Sequence, residues 1–258
     1  MNGYKNKFKI VIPSYNNHNW VGYNIASILN QSYDNYEVLY IDDASIDGTG
    51  QLVQELTSEL QNWKVVFNKK NMRRGYNISP YNENILTFIK DPEDILVFID
   101  GDDWLYDEQV LEQLNSFYNT HDYWMTYGGM VCYPSGKPGY PQNTSYDSIV
   151  HTQNLYRRDV WRASHLRTFK WKLYNTIKLD SLLYKKTGEY YFHAEDLATS
   201  FPCLEMCPQD KIGVLDFYSY VFNESPDNRV RGVSREVEAG TELELEIRNQ
   251  TPYSKYKL

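Results

Sequence analysis

Ile95-Leu96-Val97-Phe98-Ile99-Asp100-Gly101-Asp102-Asp103-Trp104-Leu105 runs five apolar residues straight into three carboxylates within four positions. An apolar run of that length, rich in β-branched and aromatic side chains, reads as a strand buried on both faces. The Asp-Gly pair reads as a turn at its carboxyl end. Carboxylates two apart on a turning chain can share a hard cation such as Mg²⁺ or Mn²⁺ and leave positions for water and phosphate oxygens. A plain Asp-Gly turn with solvated charges is the competing reading.

Upstream the same figure recurs. Phe8-Lys9-Ile10-Val11-Ile12-Pro13 is a short apolar run stopped by proline and followed by Ser14-Tyr15-Asn16. Trp20 to Leu29 carries apolar residues at helical spacing, and Tyr36 to Ile41 is a second strand ending at Asp42-Asp43-Ala44-Ser45. A helix is expected from about Thr49, with Asp47 placed to cap it. Trp63 to Phe67 gives a third strand and Pro80 to Ile89 a third helix. Strands alternating with helices predict an α/β fold, a mostly parallel Rossmann-like sheet flanked by helices, with ligands at the carboxyl ends of the strands. No Gly-x-Gly-x-x-Gly or P-loop pattern accompanies it, which argues against dinucleotide and P-loop sites.

Downstream the alternation loosens. A helix near Asp107 to Tyr118, a strand from Tyr123 to Tyr133 and a Pro-, Gly-, Ser- and Asn-rich loop from Pro134 to Ser148 are expected. After a Trp- and Lys-rich stretch from Arg157 to Tyr174 come a helix opening at Glu195-Asp196, a strand near Ile212 to Phe222, and a charged helix or tail from Arg235 to Arg248.

The 258 residues suit one domain with two halves. Hydrophobic residues at 41% and charged ones at 23% exclude disordered and collagen-like classes. A formal charge of −8 argues against a nucleic-acid binder, since phosphate backbones are held by Lys and Arg fields. Cys132, Cys203 and Cys207 read as reduced core residues. Without an apolar leader or a run of membrane-spanning length, a soluble cytoplasmic location is expected, with peripheral membrane association left open.

Three blocks, Val11-Ile12-Pro13-Ser14-Tyr15-Asn16, Asp42-Asp43-Ala44-Ser45-Ile46-Asp47-Gly48-Thr49 and Asp100-Gly101-Asp102-Asp103-Trp104-Leu105, match in order and spacing those of family 2 glycosyltransferases with the GT-A fold. The resemblance covers roughly residues 8 to 106 and thins beyond. It implies inverting transfer of a sugar from a nucleoside diphosphate donor, UDP first, to a hydroxyl of a glycan or other acceptor, with Mn²⁺ or Mg²⁺ as cofactor. Residues 1–106 would form the donor half, 107–233 the acceptor and base half, and 234–258 a C-terminal helix or tail.

The resemblance also implies residue roles. Pro13 and Tyr15 would line the base pocket, Asp43 would accept from the base, Asp100 and Asp102 would form the metal motif, and Asp103 would lie beside the sugar. Asp42, Gly101 and Arg74 complete the expected donor set, although Asp42 and the Arg73-Arg74 pair also read as structural or solvated. Of Glu195 and Asp196, Asp196 is the expected general base; acidic residues in a first helical turn are also favoured by the helix dipole. Trp104, His165 and Arg167 would face the acceptor. The Arg-x-His that some members carry near the last strand is replaced by Tyr220-Val221-Phe222-Asn223, so one carboxylate, phosphates and water would hold most of the metal. Two rivals are a phosphohydrolase of the haloacid dehalogenase type and a sugar-binding protein whose transferase site has decayed. Against the first, Trp104 follows the carboxylates and three strands precede them.

Overall fold

All seven residues of strand β1 (Phe8–Ser14) are buried, which only a central strand allows. It lies between β2 (Tyr36–Asp42) and β4 (Ile95–Phe98), parallel to both, with Phe8 opposite Tyr36 and Ile95. β3 (Trp63–Phe67) extends the sheet beyond β2. The computed structural model describes residues 5–139, 144–228 and 235–256. The expected loop from Pro134 to Ser148 therefore falls partly outside the described residues.

The main sheet has seven strands in the order β3-β2-β1-β4-β8-β6-β9. Its last three come from the second half: β6 (Met125–Tyr127), β8 (Thr168–Lys170) and β9 (Ile212–Val214). β8 is antiparallel to β4 and to β6, so one reversed strand interrupts an otherwise parallel sheet. The strand order turns over between β1 and β4, and such a switch point opens a crevice at the carboxyl ends of the strands. A second sheet, β5 (Trp104–Leu105), β10 (Tyr220–Asn223) and β7 (Met130–Tyr133) in the order β5-β10-β7, is built on the continuation of β4.

Alternation along β1 and β2 feeds two cores. Ile10, Ile12 and Tyr40 pack with Val21, Ile25 and Ile28 of α1 (Val21–Leu29) and Val53 of α2 (Thr49–Thr57). Val11, Leu39 and Ile41 pack on the other face with α4 (Glu83–Phe88), α8 (Glu195–Met206) and α9 (Arg235–Arg248).

Four sequence expectations change. The single strand expected over Tyr123–Tyr133 is two, because Gly128 and Gly129 at φ 109° and 85° break it between the sheets. A Cβ on Gly129 would run into the Phe217 carbonyl, so only glycine passes. The strand expected over Ile212–Phe222 likewise divides into β9 and β10. The Arg73-Arg74 loop is a short helix, α3 (Arg73–Asn77). The third expected helix starts three residues late, where Asn82 caps α4 by accepting from Asn84 N.

The C-terminal α9 is more than a surface tail, since Leu243 and Ile247 are buried. Arg157 donates through Nε and Nη2 to Glu205 on α8, and through Nη1 to the Ile247 carbonyl on α9. All three cysteines are buried and unbridged.

Candidate active site

The crevice holds a pocket of about 240 Å³ lined by Pro13, Ser14, Tyr15, Asn17, Asp43, Arg74, Asn77, Asp100 and Asp102. Four segments that build its surroundings pass through a left-handed residue: Asn16 (φ 55°), Ala44 (63°), Arg73 (66°) and Ala194 (56°). Backbone strain held at one place in this way is characteristic of functional sites.

Asp43 closes β2 with its amide on the Ser14 carbonyl, which fastens the ends of β1 and β2 together. Its carboxylate accepts from Asn68 Nδ2 at 2.7 Å, Met72 N at 2.8 Å and Arg73 N at 2.8 Å. It therefore shapes the loop that presents Arg74. Asp42 is buried outside the pocket lining, where one oxygen accepts from Ser45 N at 3.1 Å. Asp47 binds the start of α2, accepting from Thr49 N at 3.0 Å.

Arg74 joins the two acidic motifs. Its Nε donates to Asp100 Oδ1 at 2.6 Å and its Nη1 to Glu195 Oε1 at 3.4 Å, although 121 residues separate Arg74 from Glu195. Gly101 lets the carboxylate turn lie on β1: a Cβ there would fall 2.5 Å from Ser14 Cβ. Gly101 thus acts through close approach of backbone.

Asp102 Oδ2 accepts from Asn228 Nδ2 at 2.7 Å. Burial, and then the neighbouring Asp100 charge, push its carboxyl above the usual range. Asp103 turns inward instead. Its two oxygens accept from the Tyr220 hydroxyl at 2.7 Å and Asn223 N at 2.8 Å, so the structure does not bring it into the pocket lining. The Tyr220 hydroxyl also accepts from Asp100 N at 3.1 Å. Tyr220 and Asn223, standing where an Arg-x-His was sought, brace the carboxylate turn.

Glu195 and Asp196 open α8. Burial is the main cause raising the Glu195 carboxyl, with Arg74 opposing it. Asp196 Oδ2 accepts from Arg167 Nη1 at 3.0 Å and Oδ1 from Leu197 N at 3.0 Å, leaving the side chain 28% exposed. Arg167 Nη2 lies 3.3 Å from His165 Nε2, and the His165 ring stacks on Tyr220 at 4.6 Å. Burial, then the Arg167 and Arg74 charges, hold His165 well below its ordinary pKa. A neutral ring with Nε2 accepting fits that arrangement. Trp104 lies outside the pocket lining, among aromatic rings at the start of α1.

Among the described residues no group of three or more His, Cys, Asp or Glu side chains forms a metal cage. Two carboxylates on one pocket wall, one of them raised by burial and by its neighbour, nevertheless suit a hard cation completed by water and phosphate oxygens. Asn228 on Asp102, Asn68 on Asp43 and Tyr220 behind Asp103 are site residues that sequence reasoning missed. Each is an ordinary polar or aromatic residue far along the chain from the carboxylate it meets, and carries no local signal.

A mostly parallel sheet with acidic turns and an arginine gathered at its switch point has the layout of the GT-A fold. The family follows from comparison: residues 9–186 match the family described as Glycosyl transferase family 2, and the chain belongs to it. An uncharacterized glycosyltransferase of Haemophilus influenzae is 29% identical over 112 residues, 43% of this chain and 42% of its own length. Glycosyltransferase GlyA of Streptococcus pneumoniae is 23% identical over 71% of this chain and 27% of its own. The chain thus spans less than half the length of these relatives. S. aureus TarS 1-349 in complex with UDP-GlcNAc shares the fold at a TM-score of 0.62 and 20% identity, covering 85% of this chain and 59% of that one. The mannosyltransferase PcManGT from Pyrobaculum calidifontis, in complex with GDP-Man and Mn²⁺, does so at 0.56 and 15%, covering 97% and 66%. Among the described residues no helix is long and apolar enough to cross a membrane.

Proposed function

We propose that the chain transfers a sugar from a nucleoside diphosphate sugar, UDP-linked first, to a hydroxyl of a glycan or other acceptor, with inversion at the anomeric carbon. The observation that carries this reading is Arg74, which ties the Asp100 carboxylate on the pocket wall to the Glu195-Asp196 helix start. Arg74, in the pocket lining, thereby links the carboxylates that this reading assigns to the donor with those it assigns to the acceptor.

In this reading residues 1–106 form the donor half and 107–233 the acceptor half, with 234–258 a C-terminal segment whose Leu243 and Ile247 enter the second core. Pro13 and Tyr15 flank the base, and Asp43 accepts from it with the lone-pair capacity left beyond Asn68 and the loop amides. Asp102, with Asp100, would hold Mn²⁺ or Mg²⁺, which when bound offsets charge on the departing diphosphate. Arg74 faces the same diphosphate. Asp196 takes the proton from the acceptor hydroxyl, held in orientation by Arg167 and Leu197 N. A single base and a single displacement give inversion. The UDP-GlcNAc and GDP-Man bound to the fold neighbours support the donor class, and the Mn²⁺ of the latter supports the metal.

Calorimetry with UDP, GDP and TDP in Mn²⁺ buffer tests the donor side. Asp102→Asn should stay folded and lose metal-dependent binding, because a chain of net charge −8 otherwise repels a diphosphate. Equal affinity in wild type and variant would sink the reading.

A further inference from the structure

Asn77 closes α3 one turn beyond Arg74, lines the same pocket and is only 1% exposed. Its Oδ1 accepts from Asn68 Nδ2 at 2.9 Å, while its Nδ2 is buried and, among the described residues, has no hydrogen-bond partner. Buried polar groups are paired in almost every case, so an amide left unmet on a pocket wall points to a group that enters the pocket.

The direction of that amide is set by Asp43. The Asp43 carboxylate accepts from Met72 N and Arg73 N and offers only acceptors, so the Asn68 atom 2.7 Å from its Oδ1 is the NH₂ nitrogen. The second hydrogen of the same nitrogen goes to Asn77. The Asn77 atom facing Asn68 is therefore the oxygen, and the unmet one is the nitrogen. α3 is pinned in this position: a Cβ on Gly75 would stand 2.1 Å from the Tyr191 carbonyl oxygen, and the Ile78 carbonyl accepts from the Tyr174 hydroxyl at 2.8 Å. Asp43 Oδ1 is taken by Asn68 and Met72 N, whereas Oδ2 keeps an acceptor position beside Arg73 N. One pocket wall thus offers an acceptor and a donor two hydrogen bonds apart.

We infer that Asn77 determines which nucleobase the pocket admits, by donating Nδ2–H to the ring carbonyl next to the N–H that Asp43 accepts. The inference rests on the donor reading above and names the class of base. Uracil, thymine and guanine carry N–H and C=O side by side on one ring edge. Cytosine and adenine carry an amino group in place of that carbonyl, beside a ring nitrogen without hydrogen. They would set donor against donor at Asn77 and lone pair against carboxylate at Asp43. A buried polar group left facing the wrong partner rejects a ligand more strongly than a missing apolar contact does.

The test pairs an atom change in the ligand with one in the protein. UDP, 4-thio-UDP, 2-thio-UDP, GDP, CDP and ADP are titrated by calorimetry against the full chain in Mn²⁺ buffer. Wild type should bind UDP or GDP about tenfold or more tightly than CDP and ADP. Sulfur accepts hydrogen bonds poorly, so one of the two thio analogues should bind about tenfold more weakly than UDP. Asn77→Asp keeps an oxygen facing Asn68 and removes the donor, so UDP should fall by the same factor and lose its advantage over that analogue. Asn77→Ala should show the same equalisation without a second buried carboxylate near Asp43, and thermal denaturation checks that both variants fold. Three results overturn the inference: both thio analogues bind wild type as tightly as UDP; Asn77→Ala weakens UDP and the thio analogues alike, which makes Asn77 a support for Asn68 or the holder of a buried water; or CDP or ADP binds wild type as tightly as UDP and GDP. Each of these leaves the donor reading standing, whereas failure of every nucleoside diphosphate to bind removes that reading and this inference together.

Discussion

Replacing Gly101 by alanine asks whether the carboxylate turn must lie against the end of β1. The new Cβ would stand 2.5 Å from Ser14 Cβ and 2.8 Å from Asn17 Nδ2, roughly 1 Å inside an ordinary contact of about 3.5 Å. Ser14 is buried and in register with Asp42, so it cannot retreat and the turn has to lift. Overpacking on this scale costs about 1–3 kcal/mol, a fall of roughly 2–10 °C in Tm for a chain of this length. Moving Asp100 and Asp102 by about 1 Å should lower sugar transfer around 100-fold. Thermal and urea denaturation read the first effect, and turnover of a UDP-sugar reads the second. The double variant Ser14→Gly, Gly101→Ala removes the opposing side chain and should recover more stability than the two single changes added together allow. Wild-type stability and turnover in Gly101→Ala, or strict additivity in the double variant, would refute the close approach.

Asp196→Asn should abolish transfer while leaving UDP affinity almost intact, because a general base acts on the acceptor hydroxyl; a larger loss of turnover in Glu195→Gln than in Asp196→Asn would reassign the base. Arg157→Met should cost about 3–5 kcal/mol in urea denaturation, since it strands the buried Glu205 carboxylate. Adding Glu205→Leu should restore much of that loss, and no recovery would count against the pair. His165 is held neutral by burial and by Arg167, below its unfolded pKa, so the unfolded chain binds the extra proton. Stability should therefore fall as pH drops below about 6.5, by up to about 1.4 kcal/mol per pH unit from this group. His151 is also held low, mainly by burial, and adds to the slope. His165→Gln should flatten the curve between pH 6.5 and 5, and an unchanged slope would show that His165 titrates freely in the fold.

Much of the first half is written locally in the chain. Strand-then-carboxylate blocks at Ser14, Asp42-Asp43 and Asp100 to Asp103 announce both the sheet and its functional edge, because a parallel strand is apolar throughout and its carboxyl end must turn. The second half is less legible. Its strands are three or four residues long, too short for periodicity to separate them, and two of them are joined through glycines that read as mid-strand. Nothing in the local pattern says that β8 runs antiparallel beside β4, or that β10 reaches back to β5.

By itself the sequence determined the α/β class, the switch-point edge and the acidic residues available there, since composition, strand periodicity and turn chemistry are local properties. Only the tertiary structure decided what each carboxylate does. Asp100, Asp102 and Asp103 are equivalent along the chain, yet Arg74 reaches the first, Asn228 the second, and Tyr220 with the Asn223 amide encloses the third. Those partners lie 26 to 126 residues away, and a carboxylate's role is set by the charge, burial and donors that packing brings to it, none of which its own neighbours in sequence specify.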